Sequence, residues 1–344
     1  MKIAERLLVA LSEPMWCGGA RVVLGASAGV ALLEQYDDHT EPVTLSSLLQ
    51  GADLALYRSK SRGRGCVSVY DVVLRDELRH HLAIREGLRD AISTGGLRLV
   101  YQPIVHFATG EIRGVEALVR FDHPVLGPIR PDQFIPVAEQ SGLIRDLDTW
   151  VLRAAATQIA EWRATWPDRP VRLGVNLSAA ELRDQGYPAH VLATLQAAGA
   201  HPDLMTVELT ESVLGDRSVI DALRELQRHG IFAAIDDFGT GYSSLNLLRQ
   251  LPVRTLKLDR SFIADVATDP TTTTIVRTVI ELATALGRVS VAEGIETVEQ
   301  LRTLRALGCT GGQGYLLGRP MDADAMEQVL IHGVPAWDHL IGSL

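Results

Sequence analysis

Hydrophobic and polar residues alternate with two different periods along most of the chain, from residue 97 onward. Short runs rich in β-branched and aromatic residues predict strands, and the segments between them, with apolar residues near every 3.6 positions, predict helices. The eight predicted strands span residues 97–107, 111–121, 172–178, 205–211, 231–238, 255–260, 288–296 and 312–317. The clearest predicted helices span residues 144–165, 219–229, 273–286 and 297–307. This alternation over about 250 residues predicts an α/β fold, a TIM-like (β/α)8 barrel.

The first two predicted strands depart from the simple barrel pattern. Only Ala108, Thr109 and Gly110 separate them. A parallel crossover needs about a dozen residues or more, whereas three residues with a glycine are typical of a hairpin. We therefore expect a barrel with one antiparallel strand.

The first 70 residues follow a different pattern. A strand-like segment at 22–33 and a helix-like segment at 45–59 lead through a Gly/Arg turn at 62–65 into a strand-like segment at 67–70. A largely polar helix is predicted at 71–91. The expected organisation is thus a partial α+β domain at 1–70, a linker helix at 71–91 and the barrel at 92–340.

Composition narrows the functional classes. The chain is 47% hydrophobic and 22% charged, its formal net charge is −9, and its three cysteines are Cys17, Cys66 and Cys309. An acidic chain argues against DNA or RNA as partner, and the cysteine spacing matches no zinc or disulfide framework. The apolar run at 22–33 is far shorter than the ~20 residues of a membrane span. We expect a cytoplasmic protein with no membrane span in this chain.

Acidic and amide side chains stand near the ends of most predicted barrel strands, where barrel enzymes place their reactive groups. They are Glu116, Asn176, Glu208, Glu211, Asp236, Asp237, Glu293 and Glu296. A single acid there usually caps a helix or faces water. So many carboxylates at one barrel mouth repel one another unless protons or metal ions compensate them. Alternation sends Glu211 to the face opposite Glu208.

The composition of this set indicates which metal it would hold. Oxygen ligands without cysteine or histidine favour Mg²⁺ or Mn²⁺ over Zn²⁺. This many ligands can hold two ions about 3.5–4 Å apart, an arrangement that splits phosphodiesters. Bound cations would also supply the positive charge that an anionic nucleotide needs.

Lys257 is one of only three lysines among 33 basic residues. Alternation points its side chain into the barrel, where a buried ammonium needs anionic neighbours. A compact ammonium can orient or deprotonate a water molecule more easily than a planar guanidinium. The alternative is a structural ion pair with Asp259 or Asp237.

These motifs, in their order, resemble those of EAL domains over about residues 85 to 340. They are YQPI at 101–104, EALVR at 116–120, VNLS at 175–178, ELTE at 208–211, DDFGTGYSSL at 236–245, KLD at 257–259, AEGIE at 292–296 and GQGY at 312–315. The resemblance implies hydrolysis of cyclic di-GMP to linear pGpG. Phe121 stands where the family usually has tryptophan, with little expected consequence.

The resemblance also implies a role for each site residue. The first of two Mg²⁺ or Mn²⁺ ions would be held by Glu116, Asn176, Glu208 and Asp236, and the second by Asp236, Asp237 and Glu293. Lys257, Glu293 and Glu116 would be catalytic, with Lys257 engaging the attacking water. The substrate contacts would be Gln102, Arg120 and Gln313, with Glu296 either a contact or a supporting residue. Glu211 would anchor the loop after Asp237, and a homodimer through the EAL domain is a family expectation.

Residues 1–70 resemble the C-terminal half of a GGDEF domain, the cyclase that makes cyclic di-GMP. The likeness is carried by SAGVA at 27–31 and ADLALYRSKSRGRG at 52–65. The hairpin that names this domain is absent, so no cyclase activity is expected. An incomplete sheet leaves a strand edge that predicts disorder, aggregation or pairing with another chain. We expect a longer natural product, which could carry a membrane anchor.

Two other functional classes compete with the enzyme. A catalytically inactive receptor would bind cyclic di-GMP without cutting it, and a protein-interaction scaffold would do neither. Degenerate receptors should lack a metal ligand or the lysine. Every ligand position and Lys257 are present here, so the sequence favours the enzyme.

Overall fold

A computed structural model describes residues 2–18, 20–33, 44–61, 65–211, 215–239, 245–334 and 337. The chain divides into two compact units, Met1–Gly87 and Leu88–Leu344. Residues 62–64 of the turn predicted at 62–65 and the loop at 240–244 lie outside the described residues. Within the described part of the chain, no helix is long and apolar enough to cross a membrane.

The first unit combines short strands with longer helices. Its elements are α1 (Lys2–Ser12), β1 (Met15–Cys17), β2 (Ala20–Val22), β3 (Ala28–Val30), α2 (Leu45–Ser61), β4 (Val67–Val69) and the first part of α3 (Val72–Thr94). Strand β1 pairs with β2 in antiparallel orientation, and β3 pairs with β4 in parallel orientation. The single strand predicted at 22–33 is wrong. Gly25 lies between β2 and β3, and a glycine weakens a strand interior.

The small core of the first unit forms where α2 packs against β3. Ala55, Tyr70 and Leu74 are buried together. A Cβ atom on Gly29 would overlap the carbonyl oxygen of Ala52, so glycine is what allows the helix to approach the strand this closely.

The helix predicted at 71–91 corresponds to α3, and the division between the two units falls inside this helix, after Gly87. The domain boundaries at 70 and 91 and the likeness of residues 1–70 to a GGDEF domain stay predictions.

The second unit is a closed barrel of eight strands with helices around it, as predicted. The barrel strands are β5 (Leu97–His106), β6 (Ile112–His123), β8 (Leu173–Asn176), β9 (Met205–Thr210), β10 (Phe232–Phe238), β11 (Val253–Leu258), β12 (Val289–Ala292) and β13 (Gly311–Gly312). The order is β5-β13-β12-β11-β10-β9-β8-β6, and β5 closes the ring on β6. Strand β5 runs antiparallel to both neighbours, which confirms the single antiparallel strand. A short strand, β7 (Gly127–Ile129), extends the end of β6.

The hairpin between β5 and β6 forms at the predicted residues. Gly110 has a φ of 71°, a left-handed conformation that glycine adopts without strain. A Cβ atom there would also overlap the indole of Trp337. The main-chain N–H of His106 donates to the carbonyl of Glu111 at 2.9 Å, which closes the turn.

Helices surround the barrel. They are α4 (Pro131–Ser141), α5 (Ile144–Thr165), α6 (Ala179–Leu182), α7 (Tyr187–Ala198), α8 (Arg217–Arg228), α9 (Leu245–Gln250), α10 (Arg260–Ala264), α11 (Pro270–Ala285), α12 (Val298–Ala306) and α13 (Ala323–His332). Side chains cap several first turns, for example Asp216 on α8 and Asp269 on α11. Each such cap stabilises a helix by about 0.5–2 kcal/mol. The Asp216 cap fixes where α8 begins after β9, the strand that carries Glu208.

Candidate active site

The ammonium of Lys257, on β11, lies at the centre of a cluster of carboxylates inside the barrel. Its side chain is 1% exposed. The Nζ atom lies 2.6 Å from Glu208 Oε2, 2.6 Å from Glu293 Oε1, 3.1 Å from Glu116 Oε2 and 3.2 Å from Asp236 Oδ1. One buried cation therefore contacts four carboxylates from four different parts of the barrel.

The alternative considered from the sequence was an ion pair of Lys257 with Asp259 or Asp237. The ion pairs of Lys257 within 4.0 Å include those four groups, and Lys257 also attracts the carboxylate of Asp237. Asp259 instead accepts from the main-chain N–H of Ser261 at 3.0 Å and so caps α10. It also shares a hydrogen bond with Asp237.

Two amide side chains fix the carboxylate of Glu116. Asn176 Nδ2 donates to Glu116 Oε1 at 2.9 Å, and Gln313 Nε2 donates to Glu116 Oε2 at 2.6 Å. The same Gln313 nitrogen lies 3.3 Å from Glu293 Oε1. Gln313 Oε1 is buried without a hydrogen-bond partner in the described part of the chain. A buried acceptor left unpaired is costly, so this oxygen is suited to a bound group that donates or carries positive charge.

A glycine makes room for Glu208. A Cβ atom on Gly174 of β8 would overlap Oε1 of Glu208 on the neighbouring strand β9. The carboxylate thus occupies barrel space that any larger residue at 174 would fill.

The end of β10 brings two consecutive acids to one site. In a regular strand, neighbouring side chains point to opposite faces. The pairing of β10 with β11 is irregular between Ile235 and Phe238, and Asp237 has a φ of 53°. A left-handed conformation is uncommon for a residue other than glycine and is typical of functional sites. It allows the carboxylates of Asp236 and Asp237 to lie near each other.

Two groups of carboxylates could each hold a metal ion. In each group, one oxygen per residue lies within 4.8 Å of the others, and Asp236 belongs to both. The groups are Glu116, Glu208 and Asp236, and Asp236, Asp237 and Glu293. These oxygen donors fit Mg²⁺ or Mn²⁺ in character.

The cluster carries more negative charge than Lys257 balances. Burial raises the pKa of Glu208 to about 8 and the pKa of Glu293 well above its usual range, although Lys257 acts against both. Burial and the nearby Asp236 raise the pKa of Asp237 to about 6. Excess negative charge at a buried site is what a divalent cation would relieve.

The pKa shifts of Glu116 and Lys257 favour the charged form of each group. Burial disfavours the charged Glu116, but Lys257 and the amide donors outweigh it and hold its pKa below its usual range. Burial likewise disfavours charged Lys257, and the surrounding carboxylates, led by Glu116, raise its pKa well above the ordinary value. These two groups form the ionic centre of the site.

Glu211 contacts the chain directly after the paired acids. Its Oε2 accepts from the main-chain N–H of Gly239 at 2.8 Å. Glu211 is 7% exposed. The following residues 240–244 lie outside the described part, so its predicted role as a loop anchor rests on this one bond.

The predicted substrate residues lie around the same end of the barrel. A cavity of about 580 Å³ is lined by Glu116, Asn176, Asp236 and Arg120 together with residues of α4 and α5. Arg120 is half-buried, and its Nη1 donates to the carbonyl of Val119 at 2.9 Å. The cavity therefore joins the acidic cluster to a guanidinium suited to a phosphate.

Two other predicted substrate residues differ in their surroundings. Gln102 is buried, and its Nε2 donates to the carbonyl of Gly318 at 3.0 Å. Glu296 is exposed, and its main-chain N–H donates to Gln300 Oε1 at 2.8 Å.

Sequence reasoning missed an exposed ring beside the site. Tyr315 is 53% exposed, and the guanidinium of Arg319 lies 4.3 Å from its ring centroid. Tyr315 also interacts electrostatically with Arg120. The aromatic residue directly after Gln313-Gly314 was the available signal.

Sequence reasoning also missed the buried acid Asp148 on α5. Its Oδ2 accepts from the main-chain N–H of Ser178 at 2.9 Å, two residues after Asn176. Burial raises its pKa to about 7. The signal was an acid on the apolar face of α5, next to the buried Leu147 and one turn before Leu152.

Comparisons with known proteins agree on the family of the barrel. Residues 85–320 match the family model described as the EAL domain. The cyclic di-GMP phosphodiesterase NbdA of Pseudomonas aeruginosa is 38% identical over 330 residues, which cover 95% of this chain and 41% of NbdA. The bifunctional diguanylate cyclase/cyclic di-GMP phosphodiesterase MucR of the same organism is 37% identical over 331 residues, 94% of this chain and 47% of MucR.

A solved structure shares the barrel. The PaMucR phosphodiesterase in complex with c-di-GMP is 40% identical, with a TM-score of 0.68, over 71% of this chain and 99% of that one. This chain spans less than half the length of the two curated relatives.

Proposed function

Because the chain belongs to the EAL domain family, we propose that it hydrolyses cyclic di-GMP to linear pGpG with the help of two divalent metal ions, Mg²⁺ or Mn²⁺. NbdA, MucR and the PaMucR structure carry this substrate in their names. The proposal extends that chemistry to this chain on the strength of its own site residues.

One observation carries the proposal: the charge balance around Lys257. Five carboxylates, those of Glu116, Glu208, Asp236, Asp237 and Glu293, face one ammonium. With all six groups ionised, five negative charges and one positive leave a net charge of −4, which two divalent cations would neutralise. A buried cluster arranged only for stability would not gather so many like charges.

The proposed ligands are Glu116, Asn176, Glu208 and Asp236 for one ion, and Asp236, Asp237 and Glu293 for the other. Bound ions of this kind polarise phosphoryl oxygens and make water acidic enough to attack at neutral pH. Asn176 already lies 2.9 Å from Glu116, and rotation of its amide about the Cβ–Cγ bond would present oxygen instead of nitrogen to the group.

The remaining roles fall to the protein alone. Lys257 would orient the attacking water as a hydrogen-bond donor, because its charged Nζ already lies within hydrogen-bond distance of the proposed ligands Glu208 and Glu293. Arg120 would bind a phosphate oxygen of the substrate. The free Oε1 of Gln313 would face the same region.

Gln102 and Glu296 would complete the substrate site, and Tyr315 would add a surface on which a guanine could stack. An exposed ring already paired with a guanidinium, that of Arg319, is suited to a planar base. Glu211 would hold the loop after Asp237 in the geometry that the metal ligands need.

The direct test is product formation. Purified chain is incubated with cyclic di-GMP and Mg²⁺ or Mn²⁺, and pGpG is measured by chromatography. We expect pGpG only with metal present, and equal activity in Glu299→Gln, a control that removes an exposed acid from α12. Tight binding of cyclic di-GMP without pGpG would instead establish the receptor, and neither binding nor cleavage would point to a scaffold.

We also propose that the EAL domain forms a homodimer, with the helices near β10 and the loop after it at the interface. Light scattering coupled to size exclusion measures this directly. A mass near twice 37.4 kDa is expected, and a monomer at micromolar concentration would contradict it.

A further inference from the structure

The interior of the barrel below Lys257 is not filled. A cavity of about 320 Å³ lies among the N-terminal halves of the strands, with Lys257 and Glu208 on its upper wall. We call this cavity the lower lumen. Barrels of this class normally fill that space with layers of bulky side chains.

Small residues leave the lower lumen open. In a strand, residues two apart share a face, so the position two before each inward-pointing site residue also points inward. At these positions the chain has Gly114, Gly174, Thr206, Ala234, Thr255, Val291 and Gly311, and all of them line the cavity. Glu208 occupies the space beside Gly174, and a Cβ atom on Gly311 would overlap the carbonyl oxygen of Val105. Gly114 and Ala234 are therefore the residues whose small size leaves the lower lumen open.

The walls of the lower lumen are mainly apolar. Ile104, Val289, Val291 and the ring of Phe232 contribute to them. A buried water molecule needs about three hydrogen bonds, and apolar walls offer few. A space of this size and lining is typical of a site for a small organic molecule.

Guanidinium groups lie at the lower end of the lumen. Arg254 stands over the ring of Phe232 with its Cζ 5.0 Å from the ring centroid. Arg172 donates from Nε to the carbonyl of Asp203 at 3.3 Å. Within the described part of the chain neither forms an ion pair with a carboxylate, whereas Arg113 beside them is paired with Glu111 at 2.9 Å.

We propose that the lower lumen binds a small amphipathic carboxylate, with its apolar body between Ile104 and Val291 and its carboxylate on Arg172 and Arg254. The guanidinium fork matches a carboxylate through two parallel hydrogen bonds. Contact with Phe232 holds Arg254 at the lumen before the ligand arrives, which lowers the entropy lost on binding.

The lower lumen adjoins a larger groove. Arg113 and Arg172 line both this cavity and a larger groove of about 1070 Å³ that runs past the β5–β6 hairpin and the C-terminal end of α13. This groove is the entry that we propose for the ligand, on the side away from the acidic cluster. Glu208 lines both the lower lumen and the proposed substrate cavity, which opens at the other ends of the strands.

The test is a calorimetric titration of the full chain with sodium octanoate below its micelle concentration, in EDTA. We expect saturable binding of one octanoate per chain. The neutral analogue 1-octanol and the cationic analogue octylammonium should bind at least about tenfold more weakly, because each lacks the charge that the arginines recognise.

Variants test the contact with the carboxylate and the apolar space separately. Arg254→Gln, at an exposed position that should not disturb folding, is expected to weaken octanoate binding about tenfold. Ala234→Leu should remove binding by filling the lumen. Arg302→Gln, an equal change of charge on the exposed face of α12, should bind like the parent chain.

Three results would overturn the proposal. They are the absence of saturable octanoate binding, equal affinity for octanol, and binding that persists unchanged in Arg254→Gln. Because the titration contains neither metal nor cyclic di-GMP, its outcome does not depend on the proposed phosphodiesterase activity.

Discussion

The upper half of the barrel interior holds the acidic cluster around Lys257, and the lower half is the lower lumen. The same strands form both halves. Glu116 and Asp236 in the upper half present carboxylates to the acidic cluster, and two residues earlier Gly114 and Ala234 leave an apolar space. The backbone is continuous between them, so side-chain size and charge alone separate a crowded ionic site from an open cavity. The barrel provides positions, and the chemistry at each level is set residue by residue.

The largest effect should come from removing one member of the upper half. Glu116→Ala eliminates a proposed metal ligand that also pairs with Lys257, and we expect pGpG formation to fall by at least about a thousandfold. Glu299→Gln serves as control. Activity within tenfold of the parent would show that the upper half does not need Glu116 for chemistry.

Removing the ammonium of Lys257 should destabilise the upper half by leaving its negative charges uncompensated. Without metal, Lys257→Met leaves four carboxylates, two of them fully buried, without their cation and should lower the free energy of unfolding by about 3 kcal/mol or more. Added Mg²⁺ or Mn²⁺ should restore most of that loss. The measurement is urea unfolding in EDTA and in metal, with Arg302→Gln as control. If the variant were as stable as its parent in EDTA, Lys257 would not be compensating the carboxylates.

Two glycines on neighbouring strands differ in whether a methyl group would reach the acidic cluster. Gly174→Ala places a methyl group against Glu208, so we expect about a tenfold loss of activity or more. At Gly114 the nearest heavy atom to a new Cβ lies 3.5 Å away, the carbonyl oxygen of Arg172. Gly114→Ala should therefore keep activity within about twofold of the parent. Equal losses in the two variants would remove the distinction.

The smallest expected effect concerns a buried acid that has no cation of its own among the described residues. The pKa of Asp148 is about 7 in the folded protein, against an ordinary value of 3.8. The unfolded chain therefore loses this proton first, and Asp148 lowers stability progressively as the pH rises from 4 to 7. Asp148→Asn removes this dependence while its amide oxygen can still accept from Ser178.

The measurement is urea unfolding of both proteins between pH 4 and 8. Relative to the parent, the Asn variant should gain about 1–3 kcal/mol across that range. A constant difference at all pH values would mean that Asp148 titrates normally.

The strands and the hairpin could be predicted because their patterns are local. Period-two alternation marks most of the strands, and three residues between the first two strands leave room only for a hairpin. The strand predicted at 312–317 is wrong beyond Gly312, because β13 spans only Gly311–Gly312. The predicted ends were less accurate: 288–296 shortens to Val289–Ala292, because Gly294 has a φ of 70° and turns the chain out of the strand.

The site could be predicted only as a set of acids on converging strand ends. That Lys257 contacts four of them depends on barrel closure, which no local pattern contains. The left-handed Asp237 and the unpaired oxygen of Gln313 also depend on tertiary contacts. The lower lumen went unnoticed because Gly114 and Ala234, read singly, are ordinary strand residues.

Metal stoichiometry tests the central claim most directly. Metal-free chain is titrated with Mn²⁺, and free Mn²⁺ is followed by electron paramagnetic resonance. The account predicts two ions bound per chain, and fewer in Glu116→Ala. A stoichiometry of zero or one in the parent chain, or two ions still bound with equal affinity in Glu116→Ala, would contradict it.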